Sequence, residues 1–188
     1  GVRAADSPRA VIARAAMTED AAAQRGLVAG LAGAADASVA PLLEAWRKDL
    51  LFIFSSPEGA KVPVQLMGDK DPAGAQEAIR VDTGLPLKDS AGRTVRLAAG
   101  DLTAVEHSSS LRRVMKAVLD LADLAAADPA KRIQALQTIG RAQDAEKLPA
   151  LEKRLGTEGD VGVRAALREA MALIRLDRKS TRLNSSHG

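Results

Sequence analysis

Apolar residues recur at helical spacing near both ends of this chain and at strand-like alternation between them. In "SSLRRVMKAVLDLADLAAA", Leu111, Val114, Met115, Val118, Leu121 and Ala125 fall along one stripe, and Arg112, Arg113, Lys116 and Asp120 fall opposite. A period of about 3.6 with segregated charge predicts an amphipathic helix. "DPAKRIQALQTIG" has Asp128 to cap, Pro129 at the first helical position, Ile133, Leu136 and Ile139 facing inward, and Gly140 as the stop. "DAEKLPALEKRLG" repeats that recipe from Asp144 to Gly156, and "DVGVRAALREAMALIRL" starts at Asp160 and turns Val163, Leu167, Met171 and Ile174 inward. Near the start, Ser7 or Asp6 with Pro8 opens one helix. Leu27, Val28 and Leu31 mark a second, which stops at Gly33. Asp36, Val39, Leu42, Leu43 and Trp46 mark a third.

The two helical ends resemble each other. Shifted by 108 positions, "DAAAQRGLVAGLAGAADASVAPLLEA" lies over "DPAKRIQALQTIGRAQDAEKLPALEK" without a gap, so that Asp20, Asp36, Pro41, Leu43 and Glu44 match Asp128, Asp144, Pro149, Leu151 and Glu152. Asp160 opens a further unit in which Arg164 matches Arg132. Repeated units of cap, helix, loop, cap and helix are the pattern of stacked helix pairs.

Residues 50–108 break the period. "LLFIF", "VPVQLM", "AIRVD", "TVRLAA" and "LTAVEH" are short β-prone runs, separated by "SSPEGAK", "GDKDPAGAQ", "TGLPLKDSAGR" and "AGD". Runs of that length between clusters of turn residues predict an antiparallel meander. The expected fold is therefore mainly α: HEAT-like α-solenoid helix pairs at 1–49 and 109–176, with a small antiparallel β insert at 50–108. The last segment, "DRKSTRLNSSHG" at 177–188, carries neither period, and Leu183 is its one large apolar residue. Codons for Asp177–His187 spell a string similar to a common short-read sequencing adapter. This segment is expected to be a disordered, non-native tail. On that reading the native sequence breaks off near Leu176, and a start at Gly1 rather than Met marks a fragment there too.

Charge changes the picture little. The chain carries a net +3, and Arg178, Lys179 and Arg182 against Asp177 place two of those three charges in the tail. The rest is near neutral, has no polybasic run and almost no aromatic residues for base stacking. Nucleic acid is not an expected partner. Cysteine is absent, so there is no disulfide framework or thiolate metal site.

Candidate chemistry is sparse. His107 has no second histidine or cysteine nearby to share a metal. "GDKD" at 68–71 lacks the spacing of a calcium loop and reads as a turn. "SSS" at 108–110 reads as a helix-cap region, since no nucleophile elbow surrounds it. Asp128, Asp144 and Asp160 are each accounted for by capping. No catalytic residue, cofactor or metal is expected, and the chain is not read as an enzyme.

Taken in order, the capped helices, "PLLEAWRKDLLFIF", "TGLPL", "SSSLRRVMKAVLDL" and "DPAKRIQALQTI…LPALEKRL…DVGVRAALREAMALI" resemble the N-terminal extramembrane region of the permease subunit of urea-type ABC transporters, in the branched-chain amino-acid permease group. The similarity covers roughly residues 18–176. "TGLPL" corresponds to a "TGEPL"-like turn, and Ser109 and Ser110 replace an asparagine pair at the following helix start. The resemblance implies a periplasmic domain of an inner-membrane protein, attached to the membrane only through a downstream segment. It implies docking on other transporter subunits or on the solute-binding protein. Trp46, Arg112 and Arg113 are the candidate partner contacts. The alternative is a stand-alone HEAT-like protein–protein adaptor.

Overall fold

The structure, a computed structural model, describes residues 6–185. The chain divides into two compact units, one made of the chain up to Leu31 together with Ser38–Lys116, the other of Ala32–Ala37 together with the chain from Ala117.

The first unit opens with helices α1 (Pro8–Met17), α2 (Ala21–Ala29) and α3 (Val39–Arg47). The Ser7 hydroxyl accepts from Ala10 N–H at 3.1 Å, and the Asp20 carboxylate accepts from Ala23 N–H at 2.8 Å. Each thereby satisfies a donor that the first helical turn leaves without a partner. Ser38, rather than the expected Asp36, immediately precedes α3. Ile12, Ala15, Val28, Leu42, Leu43 and Trp46 are the buried face of these helices.

Five antiparallel strands follow: β1 (Leu51–Ser55), β2 (Lys61–Met67), β3 (Gln76–Arg80), β4 (Arg96–Leu97) and β5 (Leu102–Ala104). Their order is β4-β3-β2-β1-β5, and the sheet curls into a half-barrel. Three of the loops share one construction. In "SPEGA" the Ser56 hydroxyl, and in "DPAGA" and "DSAGR" the Asp71 and Asp89 carboxylates, accept from the backbone N–H four residues on. A glycine at positive φ sits just before that residue: Gly59 (89°), Gly74 (80°) and Gly92 (80°). Only a residue without Cβ takes that conformation without strain, so the loop sequence specifies the reversal. Alternation along the strands then puts Phe52, Phe54, Val62, Val64, Leu66, Ala78 and Leu97 on one face, where Val64, Ala78, Leu87 and Leu97 form a core of their own. On α1, Arg9 donates to Val81 O at 3.1 Å and lays its guanidinium over Gly84, whose φ is 72°.

Helix α4 (Ser109–Asp120) contains the boundary between units. In the second unit come a 3-10 turn at Ala122–Ala125, α5 (Pro129–Ala142), a 3-10 turn at Ala145–Lys147, α6 (Leu148–Leu155) and α7 (Val161–Ser185). Asp128, Asp144 and Asp160 each accept from a backbone N–H two or three residues on, as capping predicts. Leu136, Ile139, Leu151, Val163, Leu167, Met171 and Ile174 form one buried cluster.

A second regularity accompanies the caps. Four residues beyond Asp20, Asp128 and Asp160 stand Gln24, Arg132 and Arg164, whose side chains donate to Ala15 O (3.0 Å), Ala126 O (2.7 Å) and Leu155 O (2.7 Å). Each supplies a donor to the end of the preceding helical segment, where carbonyls lack intrahelical partners.

The mainly α solenoid expectation is overturned. Of the described residues 54% are helical and 14% lie in strands, and the five-stranded half-barrel makes this an α/β fold. The sheet is not a small insert because its alternating apolar positions bury a core of their own. The first of the two sequence-similar helical stretches is itself divided, since Ala32–Ala37 belongs to the second unit and the rest of that stretch to the first. Two smaller expectations change as well. Gly140 does not stop α5, which runs to Ala142 and ends where Gln143 takes φ 53°. Residues 177–185, expected to be disordered, continue α7 as helix, exposed over 177–184, since no Gly or Pro interrupts them. Residues 186–188 of that tail, and residues 1–5 of the expected first helical region, lie outside the described residues. Among the described residues no helix is long and apolar enough to cross a membrane.

Candidate functional site

The three candidate contact residues all belong to the first unit, at the junction where α3 leaves the helices and α4 begins. The structure separates them sharply. Trp46 is 0% exposed, and its indole N–H donates to Glu106 O at 3.2 Å. A buried indole with its polar atom satisfied is a packing residue, with no surface to offer a partner. In sequence the amphipathic stripe Val39–Leu42–Leu43–Trp46 carried this signal.

Arg112 is exposed but committed. Its Nη1 donates to His107 O at 2.7 Å and to His107 Nδ1 at 3.0 Å. A guanidinium is only a donor, so Nδ1 is the accepting nitrogen and the ring proton sits on Nε2. Nε2 lies 2.8 Å from Asp49 Oδ1 and donates to it. Asp49 ends α3 at φ 60°, a left-handed conformation costly for a residue with Cβ. The chain Asp49–His107–Arg112 thus ties the end of α3 to the start of α4, and His107 acts as a strut. The Ser108 hydroxyl completes this corner by accepting from Leu111 N–H at 3.1 Å, so that "SSS" supplies a helix cap.

Arg113 is different. It is exposed near the start of α4 and has no hydrogen-bond or ion-pair partner among the described residues. Its guanidinium offers five donors in a planar fork suited to a carboxylate. Of the three candidates, Arg113 keeps its charge and donors available to a partner.

A second feature of this unit escaped the sequence. The apolar face of the sheet lines a cleft of about 730 Å³ with Phe54, Val62, Leu87 and Leu97 at its base and Arg80 and Lys88 beside them. Arg80 is held by Asp82 in a two-point pair at 2.8 and 2.9 Å. That guanidinium outweighs partial burial and keeps the Asp82 carboxyl below its usual range. Asp71 is likewise held low by Ala75 N–H, which outweighs desolvation with help from Arg96 and Ala73 N–H. Asp71, the last residue of "GDKD", therefore serves the backbone of the turn that follows it in "DPAGA". No group of three or more metal-ligating side chains occurs among the described residues.

No protein-family model, curated protein or solved structure matches this chain.

Proposed function

We propose that this region is a non-catalytic accessory domain of a urea-type ABC importer permease, on the periplasmic side, and that it docks the solute-binding protein or another transporter subunit. One observation carries the reading: the ordered run from "PLLEAWRKDLLFIF" through "TGLPL" and "LRRVMKAVLDLADL" to "DVGVRAALREAMALI" resembles that family over most of the chain. The features with physical weight in that run are the ones that build shape. "TGLPL" supplies the glycine over which Arg9 lies, and "SSSLRR" supplies the cap and strut that hold the start of α4. In this reading Arg113 is the residue that meets an acidic partner, and Arg112 positions the helix that carries it.

The test is retention of the solute-binding protein on immobilised domain. Arg113→Glu reverses the charge without touching the strut, and it should abolish retention, while Arg112→Ala should weaken it through the helix start. Equal retention by wild type and Arg113→Glu would remove the docking assignment. The family assignment has its own test in the genomic DNA beyond the codon for Leu176. Several long apolar segments in frame support a permease, and an early stop supports the stand-alone adaptor.

A further inference from the structure

Lys147 occupies a core position. Its residue is 8% exposed, and its Nζ lies 3.2 Å from Asp120 Oδ2. The register between the two helical stretches shows that the fold does not require a charge there. Shifted by 108 positions, Val28, Leu31 and Leu43 match Leu136, Ile139 and Leu151, and all six are buried. Lys147 falls in this register on Val39, an aliphatic residue that is 4% exposed. Placing an ammonium where a valine suffices is unfavourable for stability alone, since desolvation offsets most of what one carboxylate returns. A charge kept at that cost, beside a cleft, marks a candidate site.

The cleft is present. A space of about 610 Å³ opens beside Lys147, with one stripe of α5 as its floor and Asp120 and Asp123 on its other side. That volume is in the usual range for small-molecule sites. Ala135 and Ile139 give the floor an apolar centre, and Lys131 stands at one end of it. The side chains of Lys131 and Asp123 have no hydrogen-bond or ion-pair partner among the described residues. An ammonium has three N–H donors, and Asp120 takes one of those on Lys147. The cleft therefore offers two cations and two carboxylates around an apolar centre, with a net charge of zero.

We infer that this cleft binds a small zwitterion carrying an ammonium, a carboxylate and an apolar body, as an aliphatic amino acid does. Its carboxylate meets Lys147 and Lys131, its ammonium meets the aspartates, and its chain lies on Ala135 and Ile139. A ligand of single charge leaves one pair of the opposite kind uncompensated, which is the basis of selection. This inference concerns the second unit and is independent of the docking surface on α4.

Calorimetric titration of the full chain with L-norleucine tests it, with N-acetyl-norleucine and norleucinamide as the two singly charged controls. Saturable binding of norleucine, with both controls weaker by about tenfold or more, is expected from the loss of one charge-assisted contact. Lys147→Val, which restores the residue at the matching position of the first stretch, should lower affinity by at least about tenfold. Its melting temperature should be unchanged or raised. Absence of saturable binding to the wild type, equal binding of either control, or full affinity in a folded Lys147→Val overturns the inference. If that variant does not fold, the three ligands on wild-type protein still decide it.

Discussion

Arg132 and Glu158 form a two-point ion pair that is almost dry. Nε lies 3.1 Å from Oε2 and Nη2 lies 3.0 Å from Oε1, with the carboxylate side chain 2% exposed and the guanidinium 11%. Arg154 adds two contacts to Oε2 at 3.2 and 2.9 Å, and Asp160 N–H donates to Oε1 at 3.1 Å. One carboxylate thus joins α5, the end of α6 and the cap of α7 in the second unit. Burial alone would raise the pKa of Glu158. The Asp160 N–H and the two guanidinium groups outweigh it and bring the value down to about 2.

The first prediction is a pH dependence of stability. The folded protein keeps Glu158 ionised where the unfolded chain protonates it, so unfolding takes up a proton between about pH 4.5 and 2. The contribution is fully present above that window and is lost as pH falls through it. It amounts to about 3 kcal/mol for a shift of this size. Urea unfolding across the window should show this fall in wild type and a shallower one in Glu158→Gln. At neutral pH Glu158→Gln should cost about 3–5 kcal/mol, because it leaves two buried guanidinium groups without their carboxylate. Parallel pH profiles for the two proteins would refute the assignment.

At Gly140 helices α5 and α7 approach each other closely. A Cβ there would lie 3.1 Å from Ala170 Cα and 3.3 Å from Ala170 Cβ. The first of these is helix backbone, which cannot swing aside as a side chain tip can. Gly140→Val should therefore destabilise by about 1–3 kcal/mol by overpacking, despite removing a helical glycine. A denaturation midpoint at or above wild type would contradict this close approach.

Gly84 and Arg9 form a separable pair. Gly84 has φ 72°, and a Cβ would lie 2.9 Å from the Arg9 guanidinium carbon. Gly84→Ala should cost about 1–2 kcal/mol for the left-handed backbone, with a further loss as Arg9 is pushed from Val81 O. The steric part should vanish in an Arg9→Ala background while the backbone part stays. A double-mutant cycle with no coupling would mean that Arg9 does not lie over the turn.

Asp128 tests the capping account. Its carboxylate accepts from Ala130 N–H at 2.9 Å. Asp128→Ala should lower stability by about 1 kcal/mol, and Asp128→Asn should change it by a few tenths. A cost as large for asparagine as for alanine, measured by chemical denaturation, would assign the effect to charge rather than to the hydrogen bond.

How much of this was legible beforehand depends on how far apart the interacting residues lie. Cap and turn chemistry acts over two to four residues, so Ser7, Asp20, Asp128 and the "SPEGA", "DPAGA" and "DSAGR" loops declare their structure locally. The helical period likewise named Leu136, Ile139, Leu151 and Leu167 as inward, and all four are buried. Of the candidate contacts, the exposure of Arg113 on the polar side of α4 follows from that same period.

What the sequence determined by itself was therefore the local reversals, the helix starts and the buried stripes. Tertiary structure decided which of those pieces share a core. It closed five strands into a half-barrel, placed Trp46 against Glu106, drew His107 between Asp49 and Arg112, and set Gly140 against Ala170. It also gave Lys147 its burial and its partner in Asp120. These contacts join residues up to 60 positions apart. They depend on loop closure and on packing among many side chains, and neither leaves a period or a spacing in the sequence.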